Sequence, residues 1–167
     1  IVIEVEYENH PVKGKLTVIK TGELLAGYEE DFLYEEGTLE GAVFEVYAAE
    51  NIYTPDYQTD AEGNRTVIYA EGALVDTLTT DANGEAVLEN LPLGKYRVVE
   101  KTAPYGFSLN TEAQEVVFVY EDQDTPVVEQ EVTFYNERQK VAITVEKKDK
   151  ETGAVVEGAV FGLYNKE

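Results

Sequence analysis

The sequence predicts an all-β sandwich with Greek-key style connections, and three observations carry that prediction. Apolar residues recur with a period of two along many short segments, giving each one apolar and one polar face. Turn-forming clusters separate the segments: DAEG at 60–63, DANG at 81–84, LPLG at 91–94 and APYG at 103–106. No stretch carries a convincing 3.6-residue apolar period, so helices are not expected.

Taken in order, IVIEVEYEN (1–9) sets Ile1, Ile3, Val5, Tyr7 and Asn9 on one face and Glu4, Glu6 and Glu8 on the other. LTVIK (16–20) reads as the next strand. Residues 22–38, GELLAGYEEDFLYEEGT, fit a short helix or an extended loop equally well. GAVFEVY (41–47), RTVIYA (65–70), EAVLENL (85–91), GKYRVVEK (94–101), EVVFVY (115–120) and EVTFYN (131–136) read as strands. ITVEK (143–147) and GAVFGLY (158–164) close the series.

Composition narrows the function classes. A chain of 167 residues with 43% hydrophobic content makes one domain with a real core, or one domain plus pieces of others. Thirteen Lys and Arg stand against 34 Asp and Glu, a formal charge of −21, which argues against nucleic acid and anionic membrane as partners. There is no Cys, hence neither a disulfide framework nor a thiolate metal site, and the single His10 cannot build the usual zinc centre alone. No cofactor and no metal are expected. No apolar run reaches 18 residues, so no membrane-inserted helix is expected. The chain starts at Ile, lacks Met and shows no signal peptide, which suggests a fragment or a processed product.

An internal repeat organises the ends. YENHPVKGKLTVIK (7–20) and FYNERQKVAITVEK (134–147) match in arrangement: Asn9 and Asn136 stand 127 positions apart, as do Lys20 and Lys147. GTLEGAVFEVY (37–47) matches AVVEGAVFGLY (154–164) at an offset of 117, so ten residues are extra in the first copy between Lys20 and Gly41. Residues 1–11 are therefore expected to be the last strand of a preceding module, 12–139 a complete module, and 140–167 the opening strands of a following one. A unit of this length suits beads on a string, each with its own core, rather than a solenoid.

Strand parity turns three polar residues inward. Lys20 continues the face of Leu16 and Val18; Asn136 continues that of Val132 and Phe134; Glu100 continues that of Tyr96 and Val98. A buried charge must be paired or lost, because desolvation costs several kcal/mol. Three readings of the trio stand at this point. They are rim residues at strand ends, or a buried ion pair with a hydrogen-bonded Asn, or the parts of a covalent bond. In the last, a neutral, desolvated Lys amine attacks the Asn amide while a protonated acid polarises the carbonyl and passes protons to the leaving nitrogen. Parity does not choose among them.

The stretch TTDANGEAVLENLPLGKYRVVEKTAPYGFSLN (79–110) closely resembles the B-type repeat domain of Gram-positive collagen adhesins and the SpaA-type, prealbumin-like domains of sortase-assembled pilins. EGAVFEVY (40–47), TVIK (17–20) and VTFYN (132–136) fit the same pattern in the same order. The resemblance implies an immunoglobulin-like or transthyretin-like β-sandwich with a self-generated Lys–Asn isopeptide bond between the first and last strands. Carried over by position, Lys20 is the amine donor, Asn136 the acceptor and Glu100 the proton shuttle; Asn9 and Lys147 are the equivalents belonging to neighbouring modules. Such chemistry runs once per molecule, so the chain is not expected to be an enzyme. The implied role is a cross-linked stalk module of a cell-surface adhesin or pilin, resistant to force and protease. The implied setting is extracellular, attached to a Gram-positive cell wall through another part of the parent protein, with neighbouring modules of the same polypeptide as partners.

A competing reading is a carbohydrate- or protein-binding module of a surface adhesin, recognising a host glycan or protein, with Lys20, Glu100 and Asn136 only a buried polar cluster. The Tyr-rich segment NIYTPDYQTDAEGNRTVIY (51–69) is its main support. Asp56, Asp60 and Glu62 invite a calcium reading, but their spacing fits no EF-hand loop. Neither G-x-S-x-G nor HExxH is present, and no LPxTG-like or YPKN-like motif is visible.

Overall fold

The computed structural model describes residues 10–29 and 31–164. It is all-β: β1 (Lys13–Tyr28), β2 (Phe32–Thr38), β3 (Val43–Ala48), β4 (Ile52–Tyr53), β5 (Val67–Tyr69), β6 (Leu74–Thr79), β7 (Glu85–Leu91), β8 (Gly94–Thr102), β9 (Gln114–Phe118) and β10 (Val127–Asn136). Two four-stranded sheets form the sandwich. In one, β1 is central: β10 runs parallel along one edge from Lys13 to Gly22, while β7 and then β2 share the other edge. The second sheet has the order β6-β3-β8-β9, and β4 with β5 makes a small separate ribbon.

Period-two patterning produces the core. Leu16, Val18, Val128, Val132 and Phe134 of the first sheet face Phe44, Val46, Tyr96, Val98 and Phe118 of the second, and all are buried. The Phe44 and Phe134 rings lie 4.8 Å apart at a tilt of 50°, joining the sheets beside the polar trio, since Phe44 is the register partner of Glu100 and Phe134 that of Lys20. Two glycines allow the close approaches there. A Cβ on Gly22 would sit 2.6 Å from the Asn136 carbonyl oxygen, and one on Gly84, at φ +75°, would sit 2.6 Å from that of Lys20.

Several elements differ from the sequence expectation. Residues 22–38 are neither helix nor loop but the end of β1 and all of β2, a ribbon reaching past the sandwich. Most of its side chains meet solvent on both faces, so no alternation marks it in the sequence. Strand β6 was not anticipated, and the 65–70 segment forms only the three-residue β5. The segments 143–147 and 158–164 form no strands; around them only an isolated bridge joins Lys148 to Val155. A strand needs a continuous hydrogen-bonded neighbour, and here the pairing is only a short turn-like contact, with the Val156 N–H donating to Lys147 O at 2.8 Å and the Asp149 N–H to Ala154 O at 2.9 Å. The expected strand at 1–9 lies outside the described residues.

Candidate functional site

Three strands deliver one polar side chain each to the same buried point. β1 supplies Lys20, β8 supplies Glu100 and β10 supplies Asn136, with relative exposures of 0%, 2% and 1%. The parity argument holds on every strand: Leu16 and Val18, Tyr96 and Val98, and Val132 and Phe134 are buried with them. Of the three readings parity left open, the rim position is excluded by this burial.

Glu100 bridges the other two. Its Oε1 accepts a hydrogen bond from Asn136 Nδ2 at 2.8 Å and lies 3.9 Å from Lys20 Nζ, too long for a direct hydrogen bond. Its Oε2 accepts the backbone N–H of Asn110 at 2.8 Å. Lys20 Nζ donates to the Thr21 carbonyl at 2.8 Å and to the Phe134 carbonyl at 3.0 Å. Asn136 Oδ1 is buried and has no hydrogen-bond partner among the described residues. That orphan is unusual, because buried polar atoms are nearly always satisfied.

Burial lowers the Lys20 amine from 10.5 to about 8; the attraction of Glu100 opposes the shift without cancelling it. Roughly a tenth of the amine is therefore neutral at pH 7, whereas an ordinary lysine offers almost none. An amine that can lose its proton, an amide with an unsatisfied carbonyl oxygen and a carboxyl group touching the amide are the ingredients of amide transfer.

Neither neighbouring-module equivalent joins the cluster. Lys147 lies exposed on the C-terminal segment, and Asn9 is outside the described residues. Sequence reasoning missed the supports of the trio, namely the Asn110 N–H and the carbonyls of Thr21 and Phe134. All three are backbone groups, which side-chain patterning does not report. The Tyr-rich segment contributes Tyr53, Tyr57 and Arg65, with Tyr120, to a cleft of about 580 Å³ beside the start of β1. Arg65 stacks over the Tyr53 ring at 5.2 Å and pairs with Asp56 at 2.5 Å.

Residues 34–133 match the family model described as the SpaA prealbumin-like fold domain. The chain belongs to that family. The matched span includes Glu100, while Lys20 and Asn136 flank it on β1 and β10. A SpaA-type domain is a β-sandwich, in agreement with the two packed sheets. Among curated proteins, the trypsin-resistant surface T6 protein of Streptococcus pyogenes serotype M6 is 46% identical over 43 residues. The match covers 26% of this chain and 8% of that protein, so the chain spans a small part of its relative. Among solved structures, the minor pilin GBS52 of Streptococcus agalactiae is 18% identical with a TM-score of 0.49, over 81% of this chain and 49% of that one. The full-length major pilin SpaD of Corynebacterium diphtheriae is 25% identical with a TM-score of 0.46, over 81% of this chain and 32% of that one.

Proposed function

We propose that this SpaA-type domain is a structural stalk module of a Gram-positive cell-surface pilin or adhesin, locked by an isopeptide bond between Lys20 and Asn136. The observation that carries the reading is the enclosure of one amine, one carboxyl and one amide at a single buried point, with Glu100 touching the amide. Residues 12–139 form the locked module, 1–11 end the preceding one, and 140–167 begin the next.

The chemistry uses this chain's own groups. Transfer of a proton from Lys20 to Glu100 gives a neutral amine and a neutral acid, the form of the pair that costs least to bury. A half-turn of the Asn136 amide then brings Oδ1, the orphaned acceptor, to the Glu100 hydroxyl. Lys20 Nζ adds to the polarised side-chain carbon, and the Glu100 proton neutralises the developing oxyanion. Glu100 next takes the surplus proton from the attacking nitrogen and delivers protons to the leaving one. The carbon–nitrogen bond of the original amide breaks, ammonia departs, and one new amide remains. Folding supplies the proximity that a bimolecular reaction lacks. The reaction occurs once per chain, so the protein is not a turnover catalyst. Its product confers mechanical and proteolytic resistance, in keeping with the name of the trypsin-resistant relative.

Intact mass tests the bond. The wild-type chain is expected to be lighter than its sequence by one ammonia, with fragmentation placing the link at Lys20 and Asn136, and Glu100→Ala is expected to retain the full mass. A wild type of full mass would refute it. The second reading, a saccharide- or protein-binding module, draws on the aromatic cleft near Tyr53, Tyr57 and Tyr120. A glycan array showing binding that Tyr57→Ala abolishes would favour it.

A further inference from the structure

The β1–β2 ribbon is an addition to the module. The ten residues extra in the first repeat copy fall between Lys20 and Gly41, where the ribbon stands. β10 accompanies β1 only as far as Gly22, paired with Asn136, whereas β1 runs on to Tyr28. Six further residues carry it roughly 20 Å beyond the sandwich. Its outer half exposes Leu25 (51%), Tyr28 (66%), Phe32 (61%) and Leu33 (46%), and the Tyr28 and Phe32 rings pack together at 5.1 Å. Isolated apolar side chains at a surface need no explanation; four on one projecting tip do.

The chain leaving the module runs along this ribbon. The Arg138 N–H donates to Glu23 Oε2 at 3.1 Å, Lys140 Nζ meets Glu23 Oε2 at 2.9 Å, and Lys140 lies over the Tyr34 ring at 4.6 Å. On the opposite side the connector is tied to the 105–108 turn: Ser108 N–H donates to Glu137 O, and Gln139 N–H to Gly106 O, both at 2.9 Å. The exit direction is thus fixed from two sides. Lys140 occupies the repeat position of Lys13, the first residue of β1, so a following module begins at the ribbon's base with no spacer. A folded module starting there would stand alongside the ribbon tip, which is exposed in the structure of this chain. Charge agrees. The ribbon carries Glu23, Glu29, Asp31, Glu35 and Glu36, while the first part of the following segment, residues 140–150, carries four lysines (Lys140, Lys147, Lys148 and Lys150) against two acids, one of them Glu146 paired with Lys148, and 140–167 as a whole is balanced at five against five.

We infer that the β1–β2 ribbon is an inter-module brace, its apolar tip and acidic flanks docking on the basic opening segment of the following module and fixing the angle between the two. The inference rests on the assignment of 140–167 to a following module. That copy lacks the ten-residue insertion, so each joint of this kind carries one brace and successive braces do not collide.

The test is inter-module orientation by residual dipolar couplings, on a chain continued past Glu167 through the complete next module. One alignment tensor is expected to fit both modules in the wild type, and two distinct tensors in Tyr28→Ser/Phe32→Ser. Two tensors in the wild type, or one in the variant, would overturn the brace while leaving the module assignment intact. An appended segment without dispersed resonances would overturn the assignment and the brace together. Self-association of the wild type that the double variant abolishes would give the tip to a second copy, and so also overturn the brace.

Discussion

At the residue scale the central fact is a lysine with nowhere to put its charge. Lys20 is fully buried, its amine held by two carbonyls and a carboxylate 3.9 Å away. Its pKa of about 8 when folded lies below the 10.5 of an exposed lysine, so between those values the folded state binds fewer protons than the unfolded one. Stability must then rise with pH across that window. In Asn136→Ala, where no bond can form, denaturant titrations are expected to show a rise of about 3 kcal/mol from pH 8 to 10.5 beyond that of Lys20→Met/Asn136→Ala. Parallel curves for the two variants would mean that the amine is not desolvated. Truncating one partner is costly for the same reason. Glu100→Ala leaves Lys20 buried without its carboxylate and is expected to lose about 3–5 kcal/mol, beyond the roughly 4–5 kcal/mol that the proposed covalent closure from Lys20 to Asn136 would contribute by the chain-entropy argument. Chemical denaturation of Glu100→Ala and Asn136→Ala separates the two contributions.

At the element scale, the trio depends on how closely β1, β10 and the 81–84 turn approach. The Asp81 carboxylate accepts the N–H groups of Asn83 and Glu85, and the Gly84 carbonyl accepts the Lys20 N–H at 2.7 Å. Gly22→Ala is expected to push β10 outward, costing about 1–3 kcal/mol and slowing bond formation, as followed by mass during refolding. Unchanged kinetics would show that the register tolerates the displacement. This scale also explains what the sequence could reveal. Alternation within LTVIK, KYRVVEK and EVTFYN placed Lys20, Glu100 and Asn136 inward, because those strands bury one face against the opposite sheet. Residues 22–38 gave no such signal, since the ribbon they form lies beyond the sandwich and has no buried face to write a period. The 143–147 and 158–164 segments show the reverse, carrying strand patterns without the neighbours that would make them strands. The N–H of Asn110, which holds Glu100, left no mark because it belongs to the backbone.

At the scale of the whole molecule, topology decides what the proposed bond would do. β1 and β10 are parallel, so a pull on the chain entering β1 and leaving β10 shears the pair along its length. In an unlinked module that load falls on the ladder between Lys13–Gly22 and Val127–Asn136, and its rupture exposes the whole core. With the link, force runs from Lys13 to Lys20, crosses to Asn136 and exits, leaving residues 21–135 outside the load path. Single-molecule extension of the module between its own ends tests the account most directly. The wild type is expected to release no more than the short linkers, while Glu100→Ala is expected to unfold with a gain of roughly 400 Å, the contour of the freed loop at about 3.6 Å per residue. A full-length unfolding step in the wild type would contradict a covalently locked stalk and leave Lys20, Glu100 and Asn136 as a buried polar cluster alone.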